Sequence, residues 1–548
     1  MFRSELRSRC LDGVTAARRI SVSNQSPMRL RVLIPVGLSA CWLVGLVSCA
    51  PKGPSPQLLA EIAKAEALLG EGCYTCLKES LALFEKHATA KAPLPAAKDG
   101  AFNAALLIAI REKELGMPAE ESWSRATALV TPARQPVLDA AQLIIGDTTA
   151  LDPEQRAAIT GVKGRPAVAP DNAARRALDA APANDLTAKY VGLSIDCEQQ
   201  NLIESVDVRA MATEYGGVPL IQFRLATCGR PGAPGIAAIR EGNPRWTDTL
   251  YWEARREMVA SLGQAIDLSK VIGLYGQGRE AFPSSLMLTM AWANANLAGE
   301  EYASALSGFE DVLKVRATHR DALSGKMQSQ SYLMQHQDAI ATATRLLELG
   351  TWHIPDANYW RAWNRYQLKE YESAWLDVEN AIKGLSNSRV YMLAGLIAYA
   401  RTTLQTAVDR FDTAFAADPS ACDAVWMSGL VSIDMNELAV AAPKFARSMT
   451  CFVSVAKLLR QDRVDLEMAI QKRGTPPNAR DHRNLDRLQR DADTAELKSA
   501  QSAFNGAQCY ARTGGKVVAL SLIDAAIAHP QMKEKAEALK AVIEKLPS

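Results

Sequence analysis

Two cysteines, Cys73 and Cys76, are the residues whose types and spacing are best suited to chemistry. They form a C-x-x-C motif, which serves dithiol redox centres and supplies half of many zinc sites. A zinc site would need a second cysteine or histidine pair of similar spacing, and the sequence contains none. A thioredoxin-type dithiol follows a strand, whereas the segment before Cys73 has a helical pattern. We therefore expect a local disulfide or two semi-buried thiols; a reactive dithiol at a helix N-terminus is the alternative.

No other motif in the sequence points to catalysis. The six histidines do not form H-E-x-x-H or another zinc-binding spacing. Neither a phosphate-binding G-x-x-x-x-G-K-S/T motif nor a G-x-S-x-G nucleophile motif is present. The glycine-rich stretch GLYGQGRE, residues 273–280, follows no convincing strand, so we interpret it as a loop between helices. We therefore expect a non-enzyme without a metal or another cofactor.

The N-terminal segment has the pattern of a targeting signal followed by a tether. From Met28, two arginines precede an apolar run over residues 32–47, which is shorter than the roughly 20 residues of a membrane-spanning helix. The stretch APKGPSPQ follows directly. We interpret residues 1–49 as a signal peptide, with translation starting at Met1 or Met28, and residues 50–57 as the tether. An uncleaved anchor or a buried helix is the alternative for the apolar run.

The apolar run closes on Leu-Val-Ser-Cys at residues 46–49, which resembles the lipobox of bacterial lipoproteins. In that family the cysteine, here Cys49, carries the lipid and becomes the first residue of the mature protein. Acyl chains hold a soluble body on a bilayer, and each buried methylene contributes about 0.8 kcal/mol. The resemblance implies a lipid anchor in the cell envelope, on the outer membrane and facing the periplasm. The inner membrane and the outer face are the alternatives.

A repeating pattern of small residues organises the C-terminal half. An alanine recurs in equivalent stretches with steps of 34, 35, 33 and 34 residues. The clearest unit is SRVYMLAGLIAYARTTLQTAVDRFDTAFAADPS, residues 388–420. Small residues let two antiparallel helices approach closely, an aromatic wedges between neighbours, and a proline ends the second helix. The recurring residues, named the anchor alanines below, are Ala305, Ala339, Ala374, Ala407 and Ala441.

The period and the order of these residues resemble the tetratricopeptide repeat, a helix–turn–helix unit of about 34 residues. The resemblance implies an all-α fold, a right-handed solenoid of antiparallel helix pairs in which each unit contacts its neighbours. It is strong over residues 286–456, which give five tandem units. It returns over residues 499–548 as a C-terminal unit followed by a capping helix with a polar face.

The remaining segments follow this pattern less regularly. Residues 58–150 have the apolar spacing of two looser helical hairpins. Residues 151–285 contain the apolar runs YVGLSIDC and PLIQFRLATC, which fit strands or helices. We favour helices, because solenoids stack similar units. Residues 457–498 are charged and broken at Gly-Thr-Pro-Pro, so we interpret them as a helical connector, either an off-register helix pair or a mobile link, with a docking role as the alternative.

Cysteine pairing follows from the predicted location, because disulfides persist outside the cytoplasm. Seven cysteines remain after Cys49, so at least one should stay free or pair with another molecule. Cys422 begins one repeat and Cys451 follows it, so the two ends of that helix pair can approach each other. The candidate disulfide pairs are Cys73–Cys76, Cys197–Cys228 and Cys422–Cys451.

In tetratricopeptide arrays the first helix of each unit lines a concave groove, into which family positions 2, 5, 9 and 12 usually point. The resemblance implies a groove lined by aromatic, nearly uncharged side chains. Such residues can hold a partner helix, an extended peptide or the apolar face of a sugar. Packing of the same aromatics between helices is the alternative. The candidate groove residues are Asn294, Gln328, Tyr359, Trp363, Tyr366, Met392, Tyr399 and Trp426.

Composition and architecture together define the expected function. The chain has 62 Lys and Arg against 60 Asp and Glu, so it lacks the basic footprint of a nucleic-acid binder. Repeats dominate the chain and no catalytic motif is present. We therefore expect a lipid-anchored periplasmic scaffold that binds other proteins or peptides through its groove. The alternative is a surface lipoprotein that captures a glycan or peptide substrate.

Overall fold

The structure, a computed structural model, describes most of the chain after residue 54. The described residues are 55–89, 94–145, 176–178, 181–182, 184–198, 208–228, 235–260, 268–350, 354–474 and 476–547. The predicted signal peptide, Cys49 and residues 50–54 of the predicted tether lie outside them. None of the helices in the described ranges combines the length and the apolar character of a membrane-spanning segment.

Every regular element in these ranges is helical, which confirms the all-α prediction. The N-terminal region, before the array, contains α1 (Pro56–Glu71), α2 (Tyr74–Ala88), α3 (Pro95–Glu114), α4 (Glu120–Leu129), α5 (Gln135–Ile145), α6 (Leu186–Glu198), α7 (Val208–Glu214), α8 (Pro219–Thr227), α9 (Ile236–Gly242), a 3₁₀-helix (Thr247–Thr249), α10 (Leu250–Ala260) and α11 (Leu268–Ala281). The array contains α12 (Leu286–Ala298), α13 (Tyr302–Val315), α14 (Arg320–Tyr332), α15 (His336–Leu349), α16 (Ile354–Gln367), α17 (Tyr371–Ile382), α18 (Ser388–Ala400), α19 (Leu404–Ala417) and α20 (Cys422–Asp434). The chain continues with α21 (Leu438–Arg473), α22 (Ala479–Arg512), α23 (Lys516–Ile527) and α24 (Lys533–Glu544).

Helices α12 to α21 form five antiparallel pairs, in which the A helix of each unit is followed by its B helix. All five anchor alanines lie on B helices and are fully buried, because a larger side chain would push the A helix away. Large residues fill the space that the small ones leave. A Cβ built on Gly395 would lie 2.5 Å from the ring of Phe411, so the two residues are in close contact. The units therefore pack through complementary small and large side chains, as the solenoid prediction required.

The turn between the A and B helices repeats one backbone conformation. Its central residue has a φ between 60° and 63°, in the left-handed region, and lies five positions before the anchor alanine. The next amide donates to the carbonyl five residues earlier, as Thr403 does to Ala398 at 3.0 Å. This is the Schellman arrangement that satisfies carbonyls at a helix end. The left-handed residues are Glu300, Met334, Lys369, Thr402 and Asn436.

Two ambiguous stretches of the N-terminal region are helices. YVGLSIDC lies in α6, and PLIQFRLATC comprises α8 and its C-cap Cys228, so the helical interpretation of both runs is confirmed. The interpretation of residues 273–280 as a loop was wrong, because they lie inside α11. A Cβ on Gly278 would lie 2.8 Å from the Leu288 side chain. This glycine therefore permits close packing of α11 against α12, which local sequence patterns do not reveal.

A buried cluster of charged residues joins distant parts of the N-terminal region. Arg111 on α3 is 1% exposed and forms an ion pair with the buried Asp248. Its guanidinium lies 3.8 Å from the ring centroid of Phe223, in cation–π contact. Glu114, one turn further along α3, forms an ion pair with Arg224 at 3.1 Å. These contacts hold α3 to α8 and to the 3₁₀-helix, which are more than 100 residues away in sequence.

Residues 457–498, named the arm, form a packed pair of helices that is broken at the predicted Gly-Thr-Pro-Pro stretch, which agrees with the helix-pair interpretation and not with the mobile link. Helix α21 runs without a break from the fifth unit to Arg473, and α22 runs from Ala479 into the C-terminal unit. The predicted boundaries at residues 456/457 and 498/499 therefore fall inside continuous helices. Every third or fourth residue of α21 faces α22, and buried members of this seam include Phe452, Ala456, Ile470, Leu488, Ala492 and Ala495. This spacing is that of an antiparallel coiled coil, which explains why charged flanks do not interrupt the helices.

The tip of the arm is closed by defined capping contacts. Gly474 ends α21 with a φ of 71°. The Asn478 side chain accepts hydrogen bonds from the backbone amides of Arg480 and Asp481, and Asp481 accepts one from the Asn478 amide at 2.8 Å. Burial opposes ionisation of Asp481, but hydrogen bonds from Arg473 and from the Asn478 amide hold its pKa below the ordinary value. The end of α21 and the start of α22 are therefore capped and joined to each other by the Arg473–Asp481 ion pair.

Candidate partner-binding groove

The candidate groove residues lie at equivalent positions of successive A helices. Most of them are half-buried, which means that one side packs on the array and the other faces outward. Asn294 on α12 is exposed, and Tyr359 on α16 is only 8% exposed. The half-buried members are Gln328, Trp363, Tyr366, Met392, Tyr399 and Trp426.

The centre of this surface is a pair of aromatic rings on α16. The ring centroids of Trp363 and Tyr366 are 6.4 Å apart, and Tyr366 also lies 5.9 Å from the ring of Tyr371 on the next helix. Both rings pack against the core of the third unit with one part of their surface. Burial and the neighbouring Tyr371 raise the pKa of Tyr366, so its hydroxyl stays protonated at neutral pH. Trp363 and Tyr366 thus each pack on the core with one part of the ring and expose the other part to solvent.

Tyr359 is buried between the third and fourth units and is not part of their free surface. The Arg389 guanidinium lies 4.3 Å from its ring centroid and 4.9 Å from that of Trp360. The Nε–H of Arg389 donates to the Tyr359 hydroxyl at 2.9 Å. Sequence reasoning missed Arg389, which occupies a groove position of the fourth unit. The signal that could have found Arg389 is an arginine at a groove position of one repeat with two aromatic residues in the repeat before it.

The fourth and fifth units extend the surface with Met392, Tyr399 and Trp426. The Tyr399 hydroxyl donates to the Asp434 carboxylate at 2.6 Å, and this hydrogen bond, with burial, raises the pKa of Tyr399. Trp426 instead packs beside Cys422 and Phe452 at the root of the arm. The half-buried candidates away from the root of the arm therefore lie on α14, α16 and α18.

The cysteines form staples rather than a reactive site. Cys73 and Cys76 are disulfide-bonded and fully buried, and Cys73 is the N-cap of α2. Cys422 and Cys451 are joined across the fifth unit, with their Cα atoms 5.5 Å apart. Cys228 is also disulfide-bonded. Because the Cys197 side chain lies outside the described residues, the Cys197–Cys228 pair stays a prediction.

Cys509 is a free thiol in α22. It is 1% exposed, and burial raises its pKa above the ordinary thiol value. A buried, protonated thiol reacts slowly with oxidants and electrophiles, because the thiolate is the nucleophile. Cys509 therefore acts as a small apolar core residue.

A shallow cavity of about 500 Å³ lies on the arm and not on the groove surface. It is formed where the flank of α21 meets α22. Two of its lining residues, Arg460 and Glu496, form an ion pair at 2.8 Å. The residues that line it include Val453, Lys457, Arg460, Val464 and Glu496. Ligand sites are usually concave and bury most of the ligand, whereas this cavity is open to solvent. We therefore do not interpret it as a ligand site.

Comparison with known proteins finds solved structures of low similarity to this chain. No family model matches the sequence, and no curated protein matches it. MamA from Desulfovibrio magneticus RS-1 is 19% identical, with 31% of this chain and 96% of that chain covered and a TM-score of 0.29. A tetratricopeptide repeat protein from Parabacteroides merdae is 13% identical, with coverages of 55% and 99% and a TM-score of 0.32. The Cut9–Hcn1 structure is 12% identical, with coverages of 89% and 90% and a TM-score of 0.29. At such scores these likenesses carry no argument about function, which must come from the chain's own surface.

Proposed function

We propose that this protein is a non-catalytic scaffold that binds proteins or peptides through the A-helix surface, and that a lipid on Cys49 tethers it to the cell envelope. The observation that carries the binding proposal is the half-buried stripe on α14, α16 and α18, centred on Trp363 and Tyr366. Side chains held firmly on one side and exposed on the other are preorganised contacts, so little entropy is lost when a partner covers them.

The chemistry of the stripe favours a partner with apolar side chains. Tryptophan and tyrosine supply large, rigid contact areas and dominate the binding energy of many interfaces. Gln328 and the exposed Asn294 add amide groups that can bond a peptide backbone. The nearby cation Arg389 is already engaged by Tyr359, so it offers little to an acidic chain end. An amphipathic helix or an extended apolar peptide therefore fits this surface best.

The location proposed for the scaffold has separate support. The lipobox-like sequence ending at Cys49 and the tether behind it provide the anchor. The disulfides Cys73–Cys76 and Cys422–Cys451 are compatible with an oxidising compartment such as the periplasm. Mass spectrometry of the N-terminal peptide from membranes should find an acylated Cys49 as the first residue. An unmodified peptide that begins at Met1 or Met28 would remove the anchor from the proposal.

The binding proposal is tested by affinity capture from detergent-solubilised envelopes with Trp363→Ala and Tyr366→Ala variants. Loss of a central aromatic contact should weaken capture of the partner by roughly 30-fold, as for a hot-spot residue. Trp375→Ala is the matched control, because Trp375 is a half-buried aromatic of the same unit on the B helix α17. Equal partner recovery from all variants would move the site away from the groove. Retention of glycans without protein partners would favour the substrate-capturing lipoprotein.

A further inference from the structure

The tip of the arm touches the opposite end of the array. Arg487 on α22 forms an ion pair with Glu300, and the Arg483 guanidinium lies 2.5 Å from the Glu301 carboxylate. Both glutamates lie in the turn between α12 and α13, more than 180 residues away in sequence. Units of a solenoid normally contact only their neighbours. This contact is therefore not a by-product of stacking.

The tip is strongly basic in an otherwise balanced chain. Between residues 471 and 490 there are six Lys or Arg and two Asp. Arg480, Arg483 and Arg487 are three and four residues apart, so they share one face of α22. A Cβ built on Gly299 would lie 2.5 Å from the Arg480 guanidinium, which shows how closely this face approaches the turn. The turn presents a glycine and two carboxylates to three arginines.

The contact between tip and turn is exposed to solvent, whereas the tip has capping contacts of its own. The paired side chains of Arg483, Arg487, Glu300 and Glu301 retain 41% to 60% of their surface exposure. Ion pairs of this kind are weak and are screened by salt. The coiled-coil seam and the Asn478–Asp481 capping contacts, in contrast, fix the tip without help from the turn. Release of the turn would leave a preformed basic face open to solvent.

We propose that this basic face is a docking site for acidic protein segments, and that the Glu300–Glu301 turn occupies it in cis. A partner that carries adjacent carboxylates would displace the turn and take its place on Arg483 and Arg487. The pairing of two glutamates with two arginines already displays the chemistry that such a partner needs. This site is distinct from the aromatic groove, so it extends the scaffold function to a second class of partner sequence.

The test measures binding of a fluorescent peptide with two Glu-Glu pairs to the full chain by anisotropy. In the variant with Glu300→Gln and Glu301→Gln the turn no longer occupies the basic face. This variant should bind the peptide about three- to tenfold more tightly, because in the unaltered protein only the fraction of molecules with a free face can bind it. The variant with Arg483→Gln and Arg487→Gln should bind at least about tenfold more weakly. Added salt should weaken binding to the unaltered protein.

Three controls keep the outcome interpretable. Arg460→Gln removes a guanidinium from the same arm, away from the tip, and should leave the affinity unchanged. Trp363→Ala should also leave it unchanged, so failure of the groove proposal is distinguishable from failure of this one. Far-ultraviolet circular dichroism verifies that each variant keeps its helices. Unaltered affinity in the glutamate variant, an equal loss with Arg460→Gln, or binding to phosphatidylglycerol vesicles without binding to the peptide would each overturn the proposal.

Discussion

The N-terminal region and the array bury their interiors by different means. In the array, small buried residues meet large apolar side chains, and an aromatic ring fills this position in three of the five units, as Phe411 does against Gly395. In the N-terminal region, a charged network around Arg111 and Asp248 is buried within the core. Of the six buried charged residues among the described positions, four lie in this region: Arg111, Arg224, Asp248 and Glu253.

The two regions differ in whether their core contacts follow from the repeat pattern of the sequence. The packing of the array repeats with the sequence, so each contact is a local consequence of the period. The charged network depends on residues that are brought together across 137 positions, as Arg111 and Asp248 are. Buried ion pairs are costly to desolvate, and they tolerate the loss of one partner poorly. The N-terminal region should therefore be less tolerant of single polar substitutions than the array.

The largest expected effect is in the charged network. Asp248→Ala leaves the Arg111 guanidinium buried with Glu114 as its remaining carboxylate partner, so the free energy of unfolding should fall by about 3–5 kcal/mol. The control is Asp377→Ala in the array, where the partners Arg361 and Arg365 are partly exposed and can be rehydrated. Its loss should be smaller, about 1–3 kcal/mol. Urea unfolding followed by circular dichroism measures both, and equal losses would contradict the distinction between the regions.

The two described disulfides provide a second comparison. Cys422–Cys451 spans 29 residues and Cys73–Cys76 spans only three. Because a cross-link restricts the unfolded chain more when the loop is longer, its removal should cost about 3.5 kcal/mol at the first pair and about 2 kcal/mol at the second. Double Cys→Ala variants of each pair, unfolded in urea, give these values. A larger loss at Cys73–Cys76 would show that this pair holds the N-terminal core by more than chain entropy.

A smaller effect tests the packing rule of the array. Gly395→Ala places a Cβ 2.5 Å from the Phe411 ring and should cost about 1–3 kcal/mol through overpacking. Gly429→Ala is the matched control, since its Cβ would lie 3.0 Å from Phe445. There the gain in helix propensity, up to about 1 kcal/mol, should offset most of the strain. Thermal unfolding compares the two variants, and a loss at Gly429 equal to that at Gly395 would disprove this rule.

The smallest effect concerns the left-handed turns. Thr402 is exposed and has a φ of 60°, so Thr402→Gly should relieve backbone strain and raise stability by about 0.5–1 kcal/mol. Gly514 has a φ of 84° at the equivalent position of the C-terminal unit. Gly514→Ala should lower stability by about 1 kcal/mol. If both substitutions left the melting temperature unchanged, the turns would not be strained.

The candidate groove shows how far sequence reasoning reached. The register of the A helices predicted which positions share a face, because that register is set by the repeat period. It did not predict that Tyr359 is buried beneath Arg389, since this depends on how the third and fourth units are packed. The recurring turn was missed for another reason. Glu300, Met334 and Thr402 share no chemistry, and only their distance from the anchor alanine is constant.

Residue spacing along the chain specifies the helical solenoid, the period of the array and its anchor alanines, because small residues at fixed spacing act through contacts between adjacent helices. The long-range fold, and not residue spacing, makes the charged connector an arm continuous with its neighbouring repeats and brings its tip to Glu300 and Glu301. It also decided the pairing of Arg111 with Asp248. These contacts join residues more than 100 positions apart, and no local pattern specifies which distant charge will face another.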